Sequence, residues 1–133
     1  ARRAIALSAV DFMVIEGVRT PERQRRLYAR GRTTAQLRAA GIEGIEGLPG
    51  EAKVTWTLAS NHFRKADGFG HAIDCLPAPY DWKDRAPFDA MAAAMLAAAR
   101  ELDVPIRWGA DWDRDGRPRE RGESDSPHFE LWR

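Results

Sequence analysis

The chain has 133 residues, 44% hydrophobic and 31% charged, and its 21 lysines and arginines against 20 aspartates and glutamates leave a formal net charge of +1. That length suits one domain with its own core, no apolar run reaches the length of a membrane span, and the near balance of charge argues against a protein that grips nucleic acid by neutralising many phosphates. A lone cysteine, Cys75, excludes an internal disulfide.

In chain order, residues 1–9 read as the end of a helix, and Phe12-Met13-Val14-Ile15 is a short apolar run suited to a buried strand. Thr20-Pro21-Glu22 then starts a helix. The hydroxyl can cap, proline is tolerated at the first helical position, and the acid favours the positive end; the helix should run to about Arg30 and stop at Gly31. Arg19 therefore stands at a strand-to-helix junction, where rigid elements on both sides can aim a side chain into a cleft. The competing reading is a plain surface cation. Arg19, Arg23, Arg25, Arg26, Arg30, Arg32 and Arg38 crowd this region, either as a solvated helix face or as an attraction for an anionic partner.

Thr34 to Ala40 predicts another short helix ended by Gly41, and Ile42 to Gly50 reads as loop. Val54-Thr55-Trp56-Thr57 has strand chemistry and leads to Ser60. Gly70 to Leu76 reads as the central strand. Alternation along it puts Ala72 and Asp74 on one face and His71, Ile73 and Cys75 on the other, so Cys75 is expected as a small buried apolar residue. Pro77 to Trp82 leaves the strand as a loop, with Tyr80 and Trp82 expected to cover the core. Pro87 to Leu102 is the clearest helix, with Phe88, Met91, Met95, Leu96, Ala99 and Leu102 at core-like spacing. Val104 to Trp108 predicts a strand, and His128 to Trp132 the last one, with His128 and Glu130 on one face and Phe129 and Leu131 on the other.

Two acidic or histidine-bearing clusters carry chemistry. Asp111-Trp112-Asp113-Arg114-Asp115-Gly116 copies the first half of a calcium loop, but Gly122 stands where the closing glutamate belongs, with Glu120 and Glu123 nearby. Calcium at Asp111, Asp113 and Asp115 is one expectation, and a solvated acidic turn, or an Asp111 paired with an arginine, is the other. The second cluster is discontinuous. Imidazole nitrogen and carboxylate oxygen are ordinary zinc donors, and a catalytic zinc takes three protein ligands with a fourth position open. His62 and Asp74 offer two, and His128 in Asp125-Ser126-Pro127-His128 offers the third. His71 faces away from Asp74 and is the poorer candidate.

This constellation resembles the zinc peptidases of peptidoglycan stem peptides: D-alanyl-D-alanine carboxypeptidases, vancomycin-resistance D,D-dipeptidases and phage L-alanyl-D-glutamate endopeptidases. The family pattern is Ser-x-His, Gly-x-Ala-x-Asp and acid-x-x-His, carried here by Ser60/His62, Gly70/Ala72/Asp74 and Asp125/His128. Glu16-Gly17-Val18-Arg19-Thr20, Gln24, Leu27-Tyr28, Gly31-Arg32-Thr33, Tyr80-Asp81-Trp82, Arg107-Trp108-Gly109 and Pro127 to Leu131 are similar to the phage-type branch, in the same order. Two departures stand out: Phe63 to Phe69 lengthen the loop between His62 and Gly70, and Thr34 to Thr57 is long enough to be a substrate-side flap.

The resemblance implies an α+β fold, a small antiparallel sheet flanked by helices as in hedgehog and D,D-peptidase domains, with residues 1–133 forming a single zinc peptidase catalytic domain. It implies zinc on His62, Asp74 and His128, Asp125 as general base with Glu123 as the rival, Arg19 at the oxyanion, and Ser60 and Gln24 at the substrate. A turn hydroxyl is the alternative for Ser60. The expected substrate is the stem peptide of the bacterial cell wall, cut between L-alanine and D-glutamate by a monomeric endolysin or muralytic enzyme. A D-Ala-D-Ala carboxypeptidase and a non-catalytic zinc-containing wall-binding module are the alternatives. The arginine-rich region would then favour an anionic wall. No secretory leader is visible, so action at the wall or periplasm is expected to follow phage lysis or export by another route.

Overall fold

The computed structural model describes residues 1–132. Its elements in order are α1 (Arg2–Leu7), β1 (Phe12–Glu16), α2 (Pro21–Ala29), α3 (Thr34–Ala39), β2 (Ala72–Pro77), α4 (Arg85–Glu101), β3 (Ile106–Trp108) and β4 (His128–Leu131). The chain divides into two compact units, Ala1–Gly17 with His71–Arg133, and Val18–Gly70.

The first unit contains the whole sheet, in the order β1-β2-β4-β3, and every neighbouring pair is antiparallel. It is therefore the small α+β sheet that the sequence implied. One stripe of α4 supplies Phe88, Met91, Ala92, Met95 and Ala98 to a core shared with Ala4, Phe12, Cys75, Trp108 and Phe129. Trp108 and Phe129 stack across β3 and β4 with centroids 6.4 Å apart. The helix begins two residues earlier than its proline suggests, because Asp84 caps it by accepting the Ala86 N–H. Proline in a first turn removes no helical hydrogen bond. Leu102, expected in the core stripe, follows the helix and is exposed.

β1 departs from expectation in a different way. Only Phe12 is buried, while Met13, Val14 and Ile15 are about half exposed, because the strand lies at the edge of the sheet rather than inside it. Tyr80 and Trp82 are also largely exposed, although the Trp82 ring lies 6.1 Å from that of Phe88 and so shields one side of it.

The second unit is built on α2 and α3. Thr20 caps α2 by accepting the Arg23 N–H, and Thr33 with Gln36 forms a reciprocal capping box on α3. Ala29, Leu37 and Ile42 form a small core with Tyr28, Ile45 and Leu58 against it, so the long segment from Thr34 supplies much of the unit's interior. Gly31 is required where it stands: its φ is +77°, and a Cβ would lie 2.5 Å from the Lys53 side chain and 2.8 Å from its backbone nitrogen. Its N–H donates to Leu48 O at 2.8 Å. Arg32 is buried, donates to the carbonyls of Tyr28 and Thr55, and lies 3.6 Å over the Tyr28 ring. The strand expected at Val54 to Thr57 is absent. Thr55 Oγ1 instead hydrogen-bonds Thr57 within the segment, and Trp56 is 78% exposed; β-rich composition makes a strand only where a neighbouring strand can accept its ladder.

Cys75 is fully buried on β2, and burial is the chief cause that pushes its thiol up to about 11. The native protein should therefore resist alkylation at pH 8, with stoichiometric labelling after denaturation, measured by mass spectrometry. Rapid labelling of the native protein would contradict this packing.

Candidate active site

In the first unit, β2 and β4 pair with Asp74 directly opposite His128. Their side chains meet, with His128 Nδ1 3.0 Å from Asp74 Oδ1. The other ring nitrogen, Nε2, is 3.0 Å from Glu130 Oε2, as strand alternation allows for residues two apart. The Trp112 ring lies 5.5 Å from the imidazole. Burial alone would lower the His128 pKa, but hydrogen bonds to Asp74 and Glu130, with the charge of Asp125, outweigh it and raise the value above the ordinary 6.5.

Asp125 enters this neighbourhood through a turn. Its carbonyl accepts the His128 N–H at 3.1 Å, its own N–H donates to Gly109 O at 3.2 Å, and the Gly109 N–H donates to His128 O at 2.7 Å. A Cβ on Gly109 would stand 2.3 Å from Asp125 O and 2.9 Å from the His128 Cβ, so only glycine permits this closeness. Trp108 Nε1 donates to Ser126 O at 2.7 Å and fixes the other side of the turn. Glu123, the rival base, is buried and accepts the Trp112 N–H at 2.9 Å.

The Asp111 loop is held largely by its own carboxylates. Asp111 accepts the N–H groups of Asp115 and Gly116, Asp113 also accepts that of Asp115, and Asp115 accepts that of Arg117. Asp111, Asp113 and Asp115 nevertheless bring one oxygen each within 4.8 Å of one another. Glu123 is not part of that group, and its Oε2 accepts the Trp112 N–H.

In the second unit, His62 is 2% exposed. Its N–H donates to Ser60 Oγ at 3.1 Å, so the Ser60 hydroxyl works as a turn acceptor that sets the histidine's backbone. The His62 carbonyl accepts the Arg19 N–H at 2.9 Å. A Cβ on Gly70 would lie 2.9 Å from the same carbonyl. The longer loop after His62 closes on itself: Lys65 N–H donates to Phe69 O at 2.8 Å and Gly68 N–H to Lys65 O at 2.9 Å. Arg19 Nη1 donates to Gln24 Oε1 at 2.8 Å, and Gln24 Nε2 donates to Thr55 Oγ1 and Thr57 O at 3.1 and 2.8 Å. Gln24, expected at the substrate, is 1% exposed and has both ends of its amide engaged, which ties Arg19 to the loop before Ser60.

An edge-limited antiparallel sheet with an acid and a histidine paired on its central strands, beside an acid-x-x-His turn, fits a hydrolase of the stem-peptide class. The profile of the family described as phage L-alanyl-D-glutamate peptidase matches residues 1–132, and the chain belongs to that family. It is 32% identical over 137 residues to the L-alanyl-D-glutamate peptidase of Escherichia phage T5, covering 98% of this chain and 82% of that one. Among solved structures it is similar to the L-Ala D-Glu endopeptidase ChiX of Serratia marcescens, with a TM-score of 0.62 and 28% identity over 98% of this chain and 74% of that one.

Glu130 and Arg107 are parts of the His128 environment that the motifs alone do not single out. The signal was present in the alternation that puts Glu130 on the His128 face of β4.

Gln24→Ala should cost about 1 to 3 kcal/mol, because it removes a buried amide together with its hydrogen bonds to Arg19, Thr55 and Thr57. Urea denaturation checks this, and a loss below about 0.5 kcal/mol would mean that the amide does not hold this loop.

Proposed function

We propose that this chain, as one catalytic domain, is a zinc-dependent endopeptidase that cuts the peptidoglycan stem between L-alanine and D-glutamate. The observation that carries this reading is the family match over residues 1–132. The donor chemistry supports the metal: His62, Asp74 and His128 offer two imidazole nitrogens and one carboxylate oxygen, the set that suits a catalytic zinc among common ions. Zinc, when bound, supplies a Lewis acid and brings the pKa of a bound water toward neutrality.

The remaining steps belong to the chain's own side chains. Asp125, placed by its turn beside His128, takes the proton of the attacking water and passes it to the leaving D-glutamate nitrogen. Arg19, held by Gln24, donates to the oxyanion that develops on the L-alanine carbonyl, an effect of about 3 kcal/mol by analogy with other oxyanion donors. Ser60 supports His62 through the turn. The protein acts at the bacterial wall, and no helix among the described residues is long and apolar enough to cross a membrane.

Digestion of purified peptidoglycan should give fragments with a new N-terminal D-glutamate and leave L-alanine on the glycan, by mass spectrometry. A chelator should stop the reaction and zinc restore it. Free D-alanine as the sole product would assign a carboxypeptidase instead, and no product would leave a wall-binding module.

Two substitutions separate the roles. Asp125→Ala should retain stoichiometric zinc and the wild-type melting temperature while losing about a hundredfold or more in kcat. Asp74→Ala should lose the zinc, measured by elemental analysis; full occupancy in that variant would remove Asp74 from the ligand set.

A further inference from the structure

The geometry points to Glu130 as a positioning residue for the His128 ligand, itself held by an Arg107 guanidinium clamped between two tryptophans. This rests on the zinc reading above and adds two residues to it. The starting observation is that His128 uses both ring nitrogens on carboxylates, Nδ1 toward Asp74 and Nε2 toward Glu130, each at 3.0 Å. Asp74 belongs to the proposed ligand set, so Nδ1 is the nitrogen available to the metal. Nε2 then carries the proton and donates to Glu130 Oε2. A ligand histidine whose other N–H meets a carboxylate has its tautomer and ring orientation fixed and is a stronger donor.

Glu130 is well suited to that role. It is 5% exposed, and a buried carboxylate is tolerable only when paired. The partner is Arg107, directly opposite on β3, whose Nε and Nη2 both donate to Glu130 Oε1, the first at 3.1 Å. The two carboxylate oxygens are therefore divided: one serves the arginine and the other the histidine. Arg107 is in turn stacked on Trp112 and Trp132, with its guanidinium carbon 4.5 and 4.8 Å from their ring centroids, geometry suited to cation–π attraction. Trp112 also contacts the His128 ring, so the clamp touches the ligand from a second side. Glu130 meets the nitrogen that does not face Asp74, which separates its role from that of Asp74.

The test is zinc affinity, read by competition with a chromophoric chelator, together with the visible spectrum of the cobalt-substituted protein. Glu130→Gln keeps the size and one acceptor oxygen but removes the charge. It should bind zinc about 10- to 100-fold more weakly, with a changed cobalt spectrum and a lower kcat at unchanged KM. Zinc affinity within about twofold of wild type and an unchanged cobalt spectrum would overturn the inference while leaving the zinc peptidase reading intact. Wild-type protein that takes up no zinc would overturn both. Should Glu130→Gln fail to fold, Arg107→Lys keeps the charge and removes the fork; a weakening of zinc in the same direction is expected there, and undiminished affinity would count against the clamp.

Discussion

The antiparallel pairing of β2 with β4 brings an aspartate and a histidine, 54 residues apart in sequence, into hydrogen-bond contact. That register is specified by burial. Cys75 and Phe129 enter the core from β2 and β4, and slipping either strand by one residue would turn an apolar side chain outward and the polar one inward. Asp74 and His128 are thus aligned by the residues beside them, and α4 closes the core against which that alignment is enforced.

Around this pair the first unit is tight in a way that only particular residues permit. Gly109 lets Asp125 and His128 approach across space that a Cβ would fill, and the Trp108 indole anchors the intervening turn while its ring packs on Phe129. Core and chemistry consequently share residues. The second unit achieves its own order with few apolar groups, relying on helix caps and on two buried polar side chains, Gln24 and Arg32, that tie loops to α2. A buried amide or guanidinium is costly unless satisfied, and the segments from Thr55 to Thr57 supply the satisfaction.

The residues proposed for the site were legible as candidates because they sit in short motifs. Ser60-x-His62, Gly70-x-Ala72-x-Asp74 and Asp125-x-x-His128 carry their chemistry in local spacing, and strand alternation correctly separated Asp74 from Cys75. Roles that depend on a remote partner were less legible. Nothing in sequence reveals that Thr57 O lies within 2.8 Å of the Gln24 amide, or that this amide also holds Arg19. Glu130 sat on the right face of β4, but its significance required Arg107 from another strand.

The sequence by itself determined the main helices and the sheet strands in the first unit, because hydrophobic period, caps and glycine stops are local properties, while the α+β class followed from the family resemblance. It also determined the family through its motifs. Only the tertiary structure decided that β1 is an edge strand, that Val54 to Thr57 forms no strand, that Leu102 lies outside the core, and that Glu123 accepts the Trp112 N–H. Each of those outcomes depends on which distant group occupies the neighbouring space, and burial and hydrogen-bond pairing are set by that neighbour rather than by the residue alone.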